Sequence, residues 1–98
     1  METSTEKLLK HLLKHSSMTP GRESTGTDGA KYRYNNYGPK YKHASNWLVS
    51  LFSKAAIENG ERKESKGFNY KNFSFYYDRP SFIGTNNGRI IFTELVEL

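Results

Sequence analysis

The chain contains no cysteine and only three prolines among its 98 residues. Without cysteine it can form no disulfide framework, no thiolate metal site and no cysteine nucleophile. Small secreted domains usually depend on disulfide bridges, so their absence favours an intracellular setting. We therefore expect the protein in the cytoplasm, which would be the host cytoplasm if the protein is viral.

Long apolar runs are also missing. Hydrophobic residues make up 35% of the chain and the mean hydropathy is −0.82. No stretch approaches the roughly 20 apolar residues that a membrane helix needs. The charged segment Met1 to Lys14 lacks the apolar centre of a signal peptide. These features predict one domain over residues 1–98, with a small core and no membrane contact.

Two segments have helical periodicity. The first covers Met1 to His15, where Thr3 and Glu6 have the spacing of a capping box. The second covers Ala44 to Glu58 and is followed by an Asn-Gly pair that can end a helix. Trp47 belongs to the apolar stripe of this second helix. We expect it in the core, where truncation to alanine would cost about 3–5 kcal/mol if the ring is fully buried.

The remaining segments predict a long loop and a small sheet. Residues 16–40 are rich in Ser, Thr, Gly and Asp, which favour turns and loops. From Phe68 onwards the apolar period changes from 3.6 to 2, with a parity switch near Asn72 that indicates a bulge or a break between strands. Further features are a turn at residues 78–81, a short strand at 81–83, an Asn87-Gly88 turn and a last strand over 89–96. The sequence therefore predicts an α+β fold, in which two N-terminal amphipathic helices joined by a long loop pack on a C-terminal antiparallel β-meander of two to four strands.

Tyrosine and basic residues are concentrated between residues 31 and 43, and no acidic residue occurs between Asp28 and Glu58. Cations can contact phosphates and tyrosine rings can stack on bases, but Tyr and Arg also dominate protein interfaces. A segment that only packs against the helices would have the same composition. The candidate binding residues here are Lys31, Tyr32, Arg33, Tyr34, Tyr37, Lys40, Tyr41 and Lys42.

Two further surfaces are candidates. The segment 68–77 holds more aromatic residues than one face of a strand can bury, so Tyr70, Tyr76 and Tyr77 are candidates for an exposed interface. The alternative is that residues 16–40 cover this second face. The first helix has a secondary basic face, which an ordinary solvated helix also shows. Its residues are Lys7, Lys10 and Lys14.

Patterns for metal binding and catalysis are weak. His11 and His15 have the i, i+4 spacing of two ligands on one helical turn, but the intervening residues are Leu12 and Leu13 and no third ligand is indicated. We interpret this as a chance pair and predict no metal and no cofactor. His43 beside Lys42 would permit a small phosphodiester-acting enzyme, although no motif arranges such a site.

We therefore predict a small non-catalytic binding protein. The first hypothesis is an interaction modulator or inhibitor that docks on a larger host protein; its size and AT-rich style of composition are typical of small proteins of phages and mobile elements. The alternative is a nucleic-acid-binding module that uses the Tyr, Lys and Arg segment. The second alternative is the phosphodiester-acting enzyme. The net charge of +5 favours anionic partners, but genome composition explains part of the lysine content.

Overall fold

A computed structural model of the protein describes residues 1–79 and 87–98. Helix α1 covers Ser4–Lys14, and the predicted capping box is present at its start. The Glu6 N–H donates to the Thr3 hydroxyl at 3.1 Å, and the Thr3 N–H donates to the Glu6 carboxylate at 3.0 Å. Helix α2 covers Asn46–Glu58 and is followed by Asn59 and by Gly60, whose positive φ of 85° ends the helix as predicted.

The predicted fold class is wrong in its account of residues 16–40. The segment is not a loop: it forms β1 at Ser16–Pro20, β2 at Ser24–Thr25 and β3 at Lys31–Pro39. Three further strands follow α2, namely β4 at Gly67–Tyr70, β5 at Phe73–Asp78 and β6 at Arg89–Glu97. The sheet thus has six strands, half of them lie between the two helices, and the sheet dominates the fold.

The described strands form one antiparallel sheet in the order β1-β3-β6-β5-β4, with β2 pairing on β3 beyond β1. β3 pairs with β6 along most of its length, so an early strand lies in the middle of the sheet. The parity switch near Asn72 is a break between β4 and β5, whose ends Tyr70 and Phe73 pair across a two-residue turn. The predicted short strand at 81–83 and most of its flanking turns lie outside the described residues.

Both helices pack on one face of the sheet. An aromatic row crosses that face, because Phe68, Phe75, Phe92 and Tyr37 are paired in register on four neighbouring strands. Their ring centroids are 4.8, 5.4 and 4.3 Å apart along the row. Leu8, Leu12, Leu48, Phe52, Ala55 and Ala56 of the helices complete the buried core.

A polar contact joins the start of α1 to the end of α2. The Glu58 carboxylate accepts hydrogen bonds from the Ser4 N–H at 3.0 Å and from the Thr5 N–H at 2.9 Å, and also from the Thr5 hydroxyl. Asn59 Nδ2 donates to the same hydroxyl at 2.8 Å. These bonds satisfy amides that the first turn of a helix leaves free, so they hold the two helices antiparallel.

No helix in the described part of the chain is both long enough and apolar enough to cross a membrane.

Candidate functional sites: the open sheet face and a cationic aromatic cleft

The candidate binding segment from Lys31 to His43 is divided at Pro39. Its first part forms β3, in which side chains alternate between the two faces of the sheet. Its second part leads from β3 to α2 and lies at the ends of the helices. The tyrosines and basic residues of this segment therefore belong to different surfaces, which we describe separately.

Several candidate residues lie on the helix side of the sheet. The Tyr37 ring stacks on Phe92, and its hydroxyl donates to a Glu94 carboxylate oxygen at 3.0 Å. Burial and this hydrogen bond raise the pKa of Tyr37. Tyr70 and Tyr77 are partly buried against the core. Arg33 is half-buried on the same face, opposite Val96. Packing explains the three tyrosines.

The other face of the sheet carries no helix, and we call it the open face. It has two apolar pairs across neighbouring strands: Tyr76 opposite Ile91, and Tyr34 opposite Leu95. Both tyrosines are 48% exposed. Tyr32 lies next to Tyr34 with the ring centroids 5.9 Å apart. Of the three tyrosines predicted on residues 68–77, Tyr76 alone lies on this face.

Between the two apolar pairs runs a row of uncharged polar residues. It is formed by side chains paired in register across five strands, namely Thr19, Asn36, Thr93, Ser74 and Asn69. Above this row the face has a shallow depression of about 500 Å³. Gly38 lies in its lining, and a Cβ added there would meet no heavy atom within 4 Å.

Charged side chains lie at the ends of the open face in the described strands. Arg89 pairs with Asp78 at one end, with Nε and Oδ2 3.0 Å apart. Glu97 lies at the other end, where Lys31 borders a second depression beside Tyr32 and Tyr34. The centre of the face is therefore an uncharged polar row between two apolar pairs, and Arg89 borders the depression at one end.

A cleft of about 400 Å³ opens where the end of α1 meets the start of α2, and we call it the cationic cleft. All three histidines of the chain line it, together with Tyr41, Trp47 and Arg89. The prediction that Trp47 lies in the core is wrong, because its side chain is 56% exposed. The core position on α2 is taken by Leu48 and Phe52, which leave Trp47 at the edge of the helix pair.

The aromatic rings of the cleft touch one another in a chain. The His11 ring lies 4.5 Å from that of His15 and 4.8 Å from that of Trp47, which it meets edge to face. The Tyr41 ring lies 6.0 Å from His15 and is 65% exposed. Burial, with smaller contributions from His15 and Lys14, lowers the pKa of His11. A neutral His11 ring can pack against apolar neighbours.

The wall of the cleft is fixed by the segment that enters α2. His43 Nδ1 lies 2.8 Å from the Asn87 carbonyl oxygen, which can only accept, so Nδ1 carries the proton. Asn87 Nδ2 donates to the Ala44 carbonyl and to Asn46 Oδ1, and the Ala44 N–H donates to the Gly88 carbonyl. These bonds fix the segment from His43 to Asn46 against Asn87 and Gly88.

The candidate basic residues are distributed around this cleft. Lys40 and Lys42 line a neighbouring depression, and Lys7 lines another with Lys54. Lys10 instead pairs with Glu2 at 3.3 Å, and Lys14 lies near His11. Sequence reasoning missed Trp47 and Arg89 as cleft residues and Lys54 as a residue of the neighbouring depression. One sequence feature could have identified Trp47: it is the second residue of its helix and lies within a stretch that has no acidic residue.

Within residues 1–79 and 87–98, no three His, Asp or Glu side chains come together as a metal site would require. Comparison of the chain with protein-family models, with curated proteins and with solved structures finds no match.

Proposed function

We propose that this protein acts without catalysis, by docking the open face of its sheet on a larger cytoplasmic protein whose activity it blocks or redirects. The observation that carries the proposal is the neutral centre of the open face, with apolar tyrosine pairs on both sides. Centres of protein interfaces are depleted in charge and enriched in tyrosine, and tyrosine is frequent among the residues that carry binding energy.

The dimensions of the open face also suit a protein partner. β3 and β6 have nine residues each, which corresponds to a length of about 30 Å. Five strands spaced about 4.8 Å apart span about 19 Å. Because β1, β5 and β4 have only five, six and four residues, the area is about 500 Å², which is below the roughly 800 Å² that each partner contributes to a standard interface. A partner that extended over the rim would reach that value.

Photo-crosslinking tests the proposal. Benzoylphenylalanine would replace Tyr34 or Tyr76 on the open face, and Ile57 as a control, since Ile57 is similarly exposed on α2. The protein would be irradiated in extract of the cells that make it, after nuclease treatment. We expect one discrete protein adduct from both open-face positions and none from position 57, and we expect the purified adduct protein to change activity when the modulator is added.

A blocking variant provides the second half of the test. Gly38→Glu places a carboxylate in the depression without a steric clash, because the space around its Cβ is open. It should remove the adduct, whereas Ile57→Glu, with the same change in charge, should leave it. Equal adducts from position 57, an adduct only with a second copy of the chain, or an adduct unaffected by Gly38→Glu would each contradict the proposal.

A further inference from the structure

The cationic cleft is not used by the proposed docking and has an unusual composition. A small protein with few hydrophobic residues gains stability by burying its tryptophan, yet Trp47 and Tyr41 are both more than half exposed. Their rings stand at two sides of one cavity, with His11 and His15 between them. Flat, accessible rings in a row can hold flat ligands by stacking.

The cleft is continuous with two further depressions. On one side it shares His11 and Trp47 with a depression of about 400 Å³ that Lys7 and Lys54 line. On the other side it shares Tyr41, His43 and Arg89 with a depression of about 470 Å³. Because they share these residues, we describe the three depressions together as a track, with aromatic rings in the middle and cations at both ends.

The charge along this track has one sign almost throughout. At the second end stand Lys40, Lys42 and Arg79. Among the described residues, Asp78 is the one carboxylate that lines any of the three depressions, and it is paired with Arg89 at 3.0 Å. The start of α2 also borders the cleft, and its first turn contains no acidic residue. The electrostatic potential of the track therefore suits an extended anion.

We propose that the cationic cleft binds single-stranded nucleic acid, with bases stacked on Trp47 and Tyr41 and with phosphates held by the lysines at both ends. Stacking needs unpaired bases, because the faces of paired bases are covered by their neighbours in a duplex. An acidic protein could also bind the cations of the track, but its binding would not depend on the two aromatic rings. In the described residues the lining of the track meets that of the open-face depression at Arg89, and variants at other residues test the two sites separately.

Fluorescence anisotropy with labelled twelve-nucleotide dT and rU strands, and a duplex control, measures the binding. Four lysines that each neutralise one phosphate predict a slope of about −2.8 in log affinity against log salt, or about a 50-fold loss between 50 and 200 mM. We expect the single strands to bind more tightly than the duplex. Trp47→Ala and Tyr41→Ala should each weaken binding about tenfold or more.

Matched controls separate stacking from general attraction and from misfolding. Ile57→Ala lies on the same helix as Trp47 with similar exposure, and Tyr34→Ala removes a tyrosine from the open face; both should leave affinity within about twofold. Circular dichroism should show that all four variants are folded, as expected for exposed side chains. Lys7→Gln with Lys54→Gln should lower the salt slope by about 1.4.

Three results would overturn the inference. The first is no binding, or binding that salt does not weaken. The second is that Trp47→Ala and Tyr41→Ala bind the oligonucleotide as the unaltered protein does, or that heparin displaces the oligonucleotide equally well from the unaltered protein and from either variant. The track would then attract any polyanion. The third is that these variants lose a protein partner while keeping the oligonucleotide. The first two outcomes do not bear on the open face, where the docking proposal has its own test, whereas the third would also count against docking through that face.

Discussion

The open face and the cationic cleft use the same residue types for different purposes. Both expose tyrosine, yet Tyr34 and Tyr76 pair across strands with aliphatic residues and flank a row of uncharged polar residues. The described lining of the two depressions beside Tyr41 instead contains two lysines, two arginines, three histidines and one carboxylate. The first environment suits desolvation against another protein, and the second suits a ligand that carries its own negative charge. A tyrosine by itself therefore does not identify a partner; the charge around it does.

The comparison also locates the net charge of the protein. The charged strand residues that face the open side lie at its ends, while Lys7, Lys54 and the lysines of the segment after Pro39 line the depressions beside the cleft. Genome bias can explain the number of basic residues, but these residues are distributed unevenly over the structure. Variants that alter one region and spare the other test whether this division is real.

The largest expected effect concerns stability and contrasts two aromatic residues of α2. Phe52 is 3% exposed and packs on Phe68, so Phe52→Ala should lower the free energy of unfolding by about 3–5 kcal/mol. Trp47→Ala should cost less than about 1 kcal/mol, because the ring is largely in solvent. Urea titrations of both variants measure the difference. A large loss for Trp47→Ala would mean that the ring belongs to the core and is not available to a ligand.

The next effect contrasts two glycines. A Cβ at Gly88 would overlap the Asp78 carbonyl oxygen and lie 2.9 Å from Arg79 Cα, which are backbone atoms that cannot rotate away. Gly88→Ala should therefore cost about 1–3 kcal/mol or more and loosen the cleft wall that Gly88 holds through Ala44. Gly38→Ala, on the open face, should change stability by less than about 0.5 kcal/mol. Thermal unfolding measures the stability of both variants. Equal losses of stability would contradict the crowded surroundings of Gly88 and the open surroundings of Gly38.

Some of this arrangement was accessible from the sequence. The capping box at Thr3 and Glu6, the end of α2 at Gly60 and the alternation of Phe73 and Phe75 all depend on local chemistry, and they are present. These signals are short in range, which is why they can be identified without knowing what packs where.

The strands between the helices could not be identified in the same way. β3 alternates, but its helix-side positions include Arg33 and Asn35, while its tyrosines Tyr32 and Tyr34 face outwards. The usual pattern of apolar inside and polar outside is thus reversed over half of the strand, and pairing with β6 and β1 on both sides stabilises it instead. The cleft could not be identified from the sequence either. His11, Trp47 and Tyr41 are far apart in sequence, and the packing of α1 on α2 brings them together.

A smaller effect concerns the helix contact at the end of the pair away from the cleft. The hydrogen bonds from Thr5 and Ser4 lower the pKa of the Glu58 carboxyl. The stabilisation is therefore fully present above pH of about 4.5, the ordinary value for this group, and is lost as the pH falls through the lowered folded-state pKa. Glu58→Gln should cost about 1 kcal/mol at pH 7.

The same variant should lose less stability than the unaltered protein when the pH is lowered from 5 to 3. Chemical denaturation at several pH values measures both quantities. Because Glu58 touches neither the open face nor the cleft, oligonucleotide affinity at pH 7 should be unchanged. A parallel decline of both proteins with acid would show that this carboxylate does not stabilise the helix pair.

The smallest effect is a pH dependence that separates the two regions. His11 has a pKa below its ordinary value of 6.5, so protonation favours the unfolded chain and the free protein should lose stability as the pH falls below about 6.5. The charged or titratable groups that line depressions with His11 or lower its pKa are Lys7 and Lys14 on α1, His15 directly after it, Tyr41 and His43 before α2, Lys54 on α2 and Arg89 on β6. No carboxylate among them offsets this repulsion.

A bound phosphate backbone reverses that balance, because it stabilises the protonated ring. Oligonucleotide affinity should therefore rise between pH 7.5 and 5.5, while docking through the open face should stay constant, since every histidine of the chain lines the cleft. His11→Asn should reduce both the loss of stability and the gain in affinity, as followed by anisotropy and urea titration. An equal pH response at the two regions would mean that a change in the whole fold, and not the charge of the cleft, sets the affinity.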